Sequence, residues 1–350
     1  MGITAPARPG SNLDYPFVTR PELGEAIPVA PGVFWVRMRL PMQLNHINLW
    51  LLEDEGGWTV VDTGINDQST REAWEMLFAG AMAGRPVKRV IVTHLHPDHV
   101  GLAGWIAERF DVALWMTRTD YLLCRTLVAD TGQQAPEEGV RFYRAAGFPE
   151  SAIAEYKARF GFFGRGVYRL PQAYRRMQDG ERIEIGARRW QVVVGRGHAP
   201  EHGCLWCEAD NLFISGDQIL PRISSNVSVF PTEPEGNPLQ DWLDSCAKLR
   251  ALLPDDALVL PSHNEPFRGG PRRLTELIED HEQNMEKLVA LCAEPKRAVD
   301  VFPALFRSRI TSGNYGMATG ESIAHLNCLI ARGRMRCAAD ADGVNWYESL

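Results

Sequence analysis

Two apolar periodicities run through the first third of the chain and predict a mixed α/β fold. Short apolar runs rich in β-branched and aromatic residues predict strands over 33–38, 47–52, 58–61, 87–93 and 112–114. Apolar residues at helical spacing predict helices over 66–80 and 100–109. Residues 1–30 are rich in Pro and Gly, and we expect an irregular arm there.

Residues 117–178 interrupt this alternation. Their apolar residues recur at helical spacing and predict a helical insertion of about sixty residues, a length more typical of a lid than of a simple connection. Between Lys157 and Arg176 the insertion has six basic residues, no acidic residue and five aromatic residues. Two interpretations remain open: a cationic, aromatic wall for an anionic substrate, or a solvated helix face over a small core.

The strand pattern returns after residue 180, and helices follow it towards the C-terminus. Predicted strands cover 181–185, 190–194, 204–207, 211–215 and 257–260, and a helix covers 239–253. The tail predicts helices over 271–290, 297–306 and 320–333, and then a hairpin with an Asp-Gly turn. Helices followed by a terminal hairpin are the outline of a winged-helix module. We therefore predict two parts, residues 1–269 and residues 270–350.

Composition favours a soluble protein in a reducing compartment. The chain has 350 residues, of which 45% are apolar and 23% charged, and its net charge of −7 argues against general nucleic-acid binding. The seven cysteines have no regular spacing and predict no disulfide framework. Cys204 and Cys207 favour a buried structural role over a zinc site. The chain shows no signal peptide and no run of about 18 apolar residues, so we expect a cytoplasmic protein without membrane contact.

Histidine and aspartate residues follow several of the predicted strands. Segment 93–99 reads THLHPDH and places three histidines and one aspartate in a strand-to-helix loop. Other strands are followed by Asp62, His198, Asp217 and His263. If these strand ends meet at one edge of a sandwich, the side chains come together. Imidazoles and carboxylates are the usual ligands of zinc and similar divalent ions, so the pattern favours a metal site over a histidine-rich surface loop.

These motifs resemble the metallo-β-lactamase superfamily over residues 30–266. The five usual motifs occur in the usual order: Asp62, the 94–99 histidine loop, His198, Asp217 and His263. The flanks 197–202 and 215–220, with the winged-helix-like tail, most resemble the glyoxalase-II-like branch and, within it, the group of β-lactamase-like protein 2. The resemblance implies an α/β fold, an αββα sandwich with a two-metal site on one edge.

The resemblance also implies a role for each residue of the motifs. The first metal ion would take His94, His96 and His198. The second would take Asp98, His99 and His263, and Asp217 would bridge the ions. Asp62 would hold ligands through hydrogen bonds from outside the metal shell. For His202 we favour a similar outer role or packing over substrate contact. The remaining histidines are expected to be structural: His46, His281 and His325.

Two zinc ions are the expected cofactors, with iron or manganese as alternatives. Relatives with iron centres often have Glu where this chain has His96, which favours zinc. Two divalent ions about 3.5–4 Å apart can hold a hydroxide between them at neutral pH and polarise the oxygen under attack. Asp98 is the predicted catalytic residue, because a carboxylate beside that nucleophile can take or pass a proton.

The metal site alone does not select the substrate. We expect a zinc-dependent hydrolase of an ester or thioester that has an anionic group, such as an acyl-CoA or a glutathione thioester. Its predicted contacts lie in the insertion: Arg165, Arg169, Tyr174, Arg175 and Arg176. A small anionic molecule is therefore the expected partner.

Three alternatives stay open. The first is a phosphodiesterase or endoribonuclease, because the most similar group includes an endoribonuclease with such a tail. The second is a lactonase. In the third the tail binds DNA and presents Arg332, Arg334 and Arg336, although a packing or homodimer role for the tail is favoured. Nucleic acid is thus the less favoured partner.

Overall fold

The computed structural model describes residues 13–42 and 44–350, which form two stacked β-sheets with helices on the outer faces. The strands of the first sheet lie in chain order: β1 (Ala26–Ala30), β2 (Val33–Arg39), β3 (His46–Asp54), β4 (Gly57–Val61), β5 (Val87–Ile91), β6 (Leu114–Met116) and β7 (Arg175–Arg176). Strands β1 to β4 pair antiparallel, and β4 to β7 pair parallel.

The second sheet has the order β12-β11-β10-β9-β8. Its strands are β8 (Arg182–Ile185), β9 (Arg188–Gly195), β10 (His202–Cys207), β11 (Leu212–Gly216) and β12 (Leu258–Pro261). Only the β11–β12 pair in this sheet is parallel. A separate terminal hairpin consists of β13 (Met335–Ala339) and β14 (Asn345–Ser349).

Helices cover the outer faces of both sheets. They are α1 (Gln68–Ala79), α2 (Pro97–Val100), α3 (Ala103–Phe110), α4 (Arg118–Ala129), α5 (Glu137–Ala145), α6 (Glu150–Arg159), α7 (Pro238–Leu252), α8 (Gly270–Leu291), α9 (Phe302–Leu305) and α10 (Tyr315–Ala331). Short 3-10 turns lie at Phe162–Gly166, Glu208–Asp210 and Ala298–Val301.

Three apolar cores hold these layers together. Trp35 and Trp50 of the first sheet pack with Trp190 of the second in the core between the sheets. Residues on the opposite face of β2, such as Val36 and Met38, pack under α1, α3 and α4. Because side chains alternate along a strand, one strand supplies both cores. The layers confirm the predicted αββα sandwich.

The C-terminal part shares a core with the second sheet. Phe213 of β11, Trp242 of α7, Leu277 of α8 and Leu326 of α10 are fully or almost fully buried in one cluster. Helix α8 begins at Gly270, where the sequence predicts the second part to start. Helices and a terminal hairpin occur in the predicted order, but most of α10 is buried. The tail therefore completes the outer layer of the sandwich.

Two strands lie where the sequence predicted none. The predicted arm over 1–30 contains edge strand β1, and its residues 1–12 lie outside the described part of the chain. Pro28 concealed this strand, because proline lacks a backbone donor and is confined to edges and bulges in sheets. The two-residue β7 closes the helical insertion and is too short to leave a periodic signal.

Two expectations from composition concern cysteines and membranes. All seven cysteines are free, and only Cys337 is exposed. Cys204 and Cys207 lie buried on β10, as a structural role requires. Among the described helices, none combines the length and apolar content that crossing a membrane needs.

Candidate metal centre

The candidate ligands lie at one edge of the sandwich, where five strands end. Asp62 follows β4, and the histidine loop joins β5 to α2. His198, Asp217 and His263 follow β9, β11 and β12 by one to three residues. Loops at strand ends can hold polar side chains at a fixed distance from one another because the sheets beneath them are rigid. The topology thus brings together residues that are far apart in sequence.

A first group consists of His94, His96, His198 and Asp217, whose ligand-type atoms all lie within 4.8 Å of one another. Nε2 of His94 lies 2.8 Å from Nδ1 of His96. Nε2 of His198 lies 3.3 Å from Oδ2 of Asp217. Three imidazole nitrogens and one carboxylate oxygen therefore converge on one point.

A second group consists of Asp98, His99 and His263, and it meets the same distance limit. Oδ2 of Asp98 lies 3.5 Å from Nε2 of His263 and 3.8 Å from Nε2 of His99. The two groups match the two ligand sets that the resemblance implies.

Asp217 stands between the two groups. Its Oδ2 lies 3.5 Å from Nε2 of His99, in addition to its contact with His198. Its other oxygen, Oδ1, lies 3.4 Å from Nε2 of His263. A carboxylate with one oxygen beside both His198 and His99 and the other beside His263 has the position of a bridge.

The ligand atoms of these side chains that have no hydrogen-bond partner are suited to binding divalent ions. Nε2 of His99, Nε2 of His198 and Oδ1 of Asp217 are buried and have no hydrogen-bond partner among the described residues. Buried polar atoms are normally satisfied, and leaving one unpaired costs about 1–3 kcal/mol. Both of these histidine nitrogens lie within 3.5 Å of Oδ2 of Asp217. Imidazole nitrogen and carboxylate oxygen are the donor set of zinc and related ions.

Electrostatics also favour positive charge at this edge. Burial lowers the pKa of His94 and of His96 well below the usual value, so both imidazoles are neutral, as metal ligands must be. Burial also lowers the pKa of His263, but Asp217 and Asp98 outweigh it and raise that pKa to about 9. His99 shows the same opposition, with its pKa raised well above the usual value. The second group thus binds protons that a divalent ion could replace.

Asp62 anchors the histidine loop. Its Oδ2 lies 2.8 Å from Nδ1 of His99, and its Oδ1 accepts a hydrogen bond from the backbone N–H of Thr93 at 2.8 Å. The Thr93 hydroxyl donates to Oδ2 at 2.8 Å. These bonds direct Nε2 of His99 towards Asp217, which is the orienting role expected of Asp62.

His202 positions the candidate bridge. The backbone N–H of Asp217 donates to Nε2 of His202 at 3.0 Å, and the His202 ring stacks on His94 with centroids 4.6 Å apart. Burial lowers the pKa of His202 to about 3, which keeps Nε2 an acceptor. A Cβ on Gly216 would lie 2.4 Å from the ring, so this close approach requires glycine. His202 therefore acts through Asp217.

His46 supports the loop that contains His263. Nδ1 of His263 lies 2.8 Å from the His46 carbonyl oxygen, which accepts its proton. The N–H of Asn264 donates to Nε2 of His46 at 2.8 Å. Asn48 adds hydrogen bonds to the carbonyls of Pro261 and Asn264. The start of β3 thereby fixes which nitrogen of His263 faces the centre.

Comparison with known proteins places this arrangement in a family. Residues 43–263 match the model of the metallo-β-lactamase superfamily, and residues 285–350 match that of a metallo-β-lactamase-like C-terminal domain. The chain belongs to the metallo-β-lactamase superfamily. It is a metallo-hydrolase of that superfamily with a candidate metal site.

Several individual proteins are similar to this chain over most of its length. A β-lactamase domain protein from Burkholderia ambifaria is 42% identical, with a TM-score of 0.89 over 97% of this chain and 98% of that one. The probable metallo-hydrolase YqjP of Bacillus subtilis is 24% identical, over 85% of this chain and 92% of that protein. The human acyl-coenzyme A thioesterase MBLAC2 is 25% identical, over 71% of this chain and 84% of that protein.

Sequence reasoning missed Asp120, which joins two loops of the superfamily site. Its Oδ1 accepts from the N–H of Leu95 at 3.0 Å, and its Oδ2 accepts from the N–H of Glu201 at 2.7 Å. Burial raises its pKa to about 7. Glu201 itself turns away from the centre and accepts from the N–H of Thr119 at 2.8 Å. An acidic residue in the first turn of a helix is common, so the pattern held no signal for Asp120.

A second missed link joins the tail to His198. The carbonyl oxygen of Asn226 lies 2.7 Å from Nδ1 of His198 and accepts its proton. The side-chain amide of Asn226 donates to Glu321 of α10 at 2.7 Å. Burial raises the pKa of Glu321 to about 8, so this carboxyl is mostly neutral at pH 7. Nothing in the spacing of the motifs pointed to a residue so far along the chain.

A cavity of about 270 Å³ opens on the centre. Asp98, His198, Asp217 and His263 form its floor. Its walls are mostly apolar and include Met42, Leu44, Ile65, Phe162, Phe163, Leu220 and Ile223, with Ser224, Ser225 and Asn226 on one side. We call it the apolar cavity. Phe162 and Phe163 belong to the helical insertion, so part of the insertion does cover this edge.

The five predicted substrate contacts of the insertion are not among the residues that line the apolar cavity. Carboxylates elsewhere in the chain pair with two of them: Arg169 lies 3.2 Å from Glu108, and Nη1 of Arg175 donates to Glu181 at 3.0 Å.

The other three predicted contacts also have different surroundings. Tyr174 stacks on Tyr121 with centroids 3.8 Å apart. Arg176 lies in β7, and Arg165 stacks on the Phe162 ring. The absence of acidic residues within 157–176 was misleading, because ion pairs form across the fold.

Proposed function

We propose that this protein is a binuclear zinc-dependent hydrolase that cleaves acyl thioesters, with the acyl chain held in the apolar cavity. The observation that supports this proposal is the direct contact between an apolar wall and the ligand groups of the centre. An acyl group bound there would place its carbonyl carbon over Asp98, Asp217 and His263. The likeness to a human acyl-coenzyme A thioesterase points to the same substrate class.

Each chemical role follows from the site. Divalent ions bound in this site would supply Lewis acidity and lower the pKa of water, so that no serine or cysteine nucleophile would be required. Asp98 is on the floor of the cavity and its side chain is 17% exposed, so it can exchange a proton with a substrate. Asp62 and Asn226 satisfy the outer ring nitrogens of His99 and His198, and His202 holds Asp217 through its backbone N–H.

The apolar walls weigh against the phosphodiesterase and ribonuclease alternatives. No Lys or Arg is among the described residues that line the apolar cavity. Nucleic-acid binding depends on cations near the phosphates, and a phosphodiester attacked at the centre would lie inside this cavity. The DNA-binding alternative is weakened as well, because its three candidate arginines pair with carboxylates: Arg332 with Glu282, Arg334 with Glu286 and Arg336 with Glu348. A lactone could still enter an apolar cavity.

The test is a substrate panel on purified, zinc-reconstituted protein. It compares acyl-CoA thioesters of increasing chain length, an acyl-homoserine lactone, a bis-aryl phosphodiester and single-stranded RNA, each with and without a chelator. We expect chelator-sensitive thioester hydrolysis whose kcat/KM increases with acyl length. Preferential cleavage of the phosphodiester or the RNA would contradict the proposal, and preferential cleavage of the lactone would favour that alternative.

Two phenylalanine variants test the wall directly. Phe162→Ala and Phe163→Ala should raise KM for a long-chain thioester while leaving KM for the acetyl thioester nearly unchanged, because only the long chain reaches that wall. Phe230→Ala is the matched control, since Phe230 is 50% exposed and does not line the cavity. Equal effects of all three variants would contradict an acyl site. The cytoplasmic location, the glyoxalase-II-like branch and the winged-helix character of the tail rest on the sequence alone.

A further inference from the structure

A second cleft lies on the other side of the turn that joins β2 to β3. Met42 and Leu44 of this turn face the apolar cavity. Arg39 and Asn45, at the two ends of the turn, instead line a cleft of about 280 Å³. We call it the arginine cleft, and its polar lining consists of Arg20, Glu22, Arg37, Arg39, Asn45 and His46.

The alternation along β2 explains why cations gather there. Trp35, Arg37 and Arg39 are two residues apart, so they lie on the same face of the strand. Trp35 packs in the core between the sheets. Arg37 is half-buried and Arg39 is exposed, which shows that the second sheet no longer covers this face. The inner face of the sandwich therefore becomes a cationic surface beside the centre.

The charge of the cleft is not balanced by the protein. Its lining contains three arginines and one glutamate. Within residues 13–42 and 44–350, no carboxylate forms an ion pair with Arg37 or Arg39. Glu265 pairs with Arg20 and also lies 3.0 Å from Nε of Arg222, so two arginines already share its charge. Burial and the neighbouring Arg20 lower the pKa of Arg37 against the smaller opposing effects of Glu265 and Glu22, and a bound anion would offset this net destabilisation of the cation.

We propose that the arginine cleft binds a phosphate group, and that this group belongs to the thiol leaving group of the substrate. The guanidinium groups of Arg37 and Arg39 can each bind phosphate oxygens in a two-pronged geometry. This proposal rests on the proposed thioesterase activity and adds the second end of the substrate. The acyl chain lies on one side of the β2–β3 turn, and the phosphate lies on the other.

A single side chain connects the arginine cleft with the metal centre. His46 lines the arginine cleft, and its ring lies 6.0 Å from the ring of His263, measured between centroids. The cleft is therefore separated from the candidate ligands by a single side chain. An anionic substrate was expected from the sequence. The arginine cleft offers cations for it that differ from those of the insertion.

The kinetic test compares a charged and a neutral thioester of the same acyl group. Butyryl-CoA has phosphates, and the butyryl thioester of N-acetylcysteamine has none. In Arg37→Gln/Arg39→Gln, we expect the ratio of kcat/KM for the two substrates to fall at least about tenfold, through KM for butyryl-CoA. Arg189→Gln is the matched control, because Arg189 is an exposed arginine on β9 that pairs with Glu184. An unchanged ratio would contradict the leaving-group assignment.

A binding experiment separates a substrate phosphate from free phosphate. Inorganic phosphate is titrated by calorimetry into the zinc-loaded wild type and both variants. Binding that weakens only in Arg37→Gln/Arg39→Gln supports the phosphate site, and an unchanged kinetic ratio would then assign it to free phosphate. No difference in either experiment overturns the proposal. If the wild type cleaves neither thioester, the proposed activity fails, while the titration still tests the cleft.

Discussion

Two groups of buried histidines in this chain have opposite surroundings. In the metal centre, Nε2 of His99 and Nε2 of His198 have no hydrogen-bond partner among the described residues. In the tail, His281 and His325 contact each other through ring nitrogens 3.1 Å apart. Their outer nitrogens contact the Ser224 hydroxyl at 3.4 Å and the Glu321 carbonyl at 2.8 Å. The tail pair is satisfied by the protein alone, and the centre is not.

The difference teaches what separates a ligand histidine from a structural one. Burial is common to both groups and lowers the pKa of His281 to about 3 and of His325 to about 4. At the centre, Asp98 and Asp217 reverse the effect of burial on His263. Carboxylates among the imidazoles and ring nitrogens without a protein partner therefore mark the cation site.

The largest expected effect is that of Asp217→Ala. Because Asp217 faces both ligand groups, its loss should weaken both sites and reduce hydrolysis to background. We expect about two metal ions per chain in the wild type and far fewer in this variant, as measured by elemental analysis. Asp244→Ala, an exposed aspartate on α7, is the control and should change neither quantity. Full metal retention in Asp217→Ala would show that the carboxylate is not a bridge.

A smaller effect is expected for Asp62→Ala. Asp62 orients His99 without facing the ions, so metal affinity or activity should fall by about 10–100-fold. Competition with a chromogenic chelator measures the affinity. A loss as large as that of Asp217→Ala would place Asp62 among the ligands themselves.

Glu321 joins the two histidine groups, and its variants should have a weaker effect still. Glu321→Ala removes the acceptor of the Asn226 amide and should weaken zinc affinity by less than about tenfold, acting through His198. Glu321→Gln retains an acceptor and should restore the affinity. If both variants weaken zinc binding equally, or neither does, Glu321 does not act through this hydrogen bond.

The smallest effect on the centre is expected for the tail pair. His281→Asn/His325→Asn should retain wild-type zinc content, and its effect should appear in stability. In the folded chain both histidines have a pKa far below the ordinary value of about 6.5. Below pH 6.5 the unfolded chain gains protons that the folded chain does not, so the free energy of unfolding falls as the pH falls towards 4.

Chemical denaturation at two pH values measures this effect. Between pH 7 and pH 5 the wild type should lose on the order of 2 kcal/mol per histidine more than the double variant. Glu321 titrates in the opposite sense, but it is present in both proteins and cancels in the difference. Parallel pH dependence in the two proteins would contradict the neutral buried pair.

The patterns alone predicted a mixed α/β fold with a His or Asp after several strands, and the family resemblance of those motifs implied the sandwich and the ligand sets. Local patterns fix where a strand ends, and the parallel β4–β5 and β11–β12 pairs then place those ends on one edge. Strand β1 was missed because Pro28 opposes strand propensity. The prediction was most complete for candidate site residues that directly follow a strand.

Residues that act across the fold could not be predicted in this way. Asp120 and Glu321 take part through hydrogen bonds to distant loops, and an isolated acidic residue has no periodic signal. The arginines of the insertion looked unpaired in sequence, yet Arg169 pairs with Glu108 of α3. Arg37, by contrast, has no carboxylate in an ion pair with it among the described residues. Pairing depends on tertiary contacts, which charge counting along the chain does not reveal.

The metal content of the wild-type protein tests the central claim most directly. Protein purified without chelators and reconstituted with zinc is dialysed and analysed by inductively coupled plasma mass spectrometry, with His281→Asn/His325→Asn measured beside it. We expect about two zinc ions per chain in both proteins and a loss of hydrolysis when a chelator removes them. A wild type that retains no transition metal after reconstitution would contradict the assignment of the unpaired histidine and aspartate atoms to a metal centre.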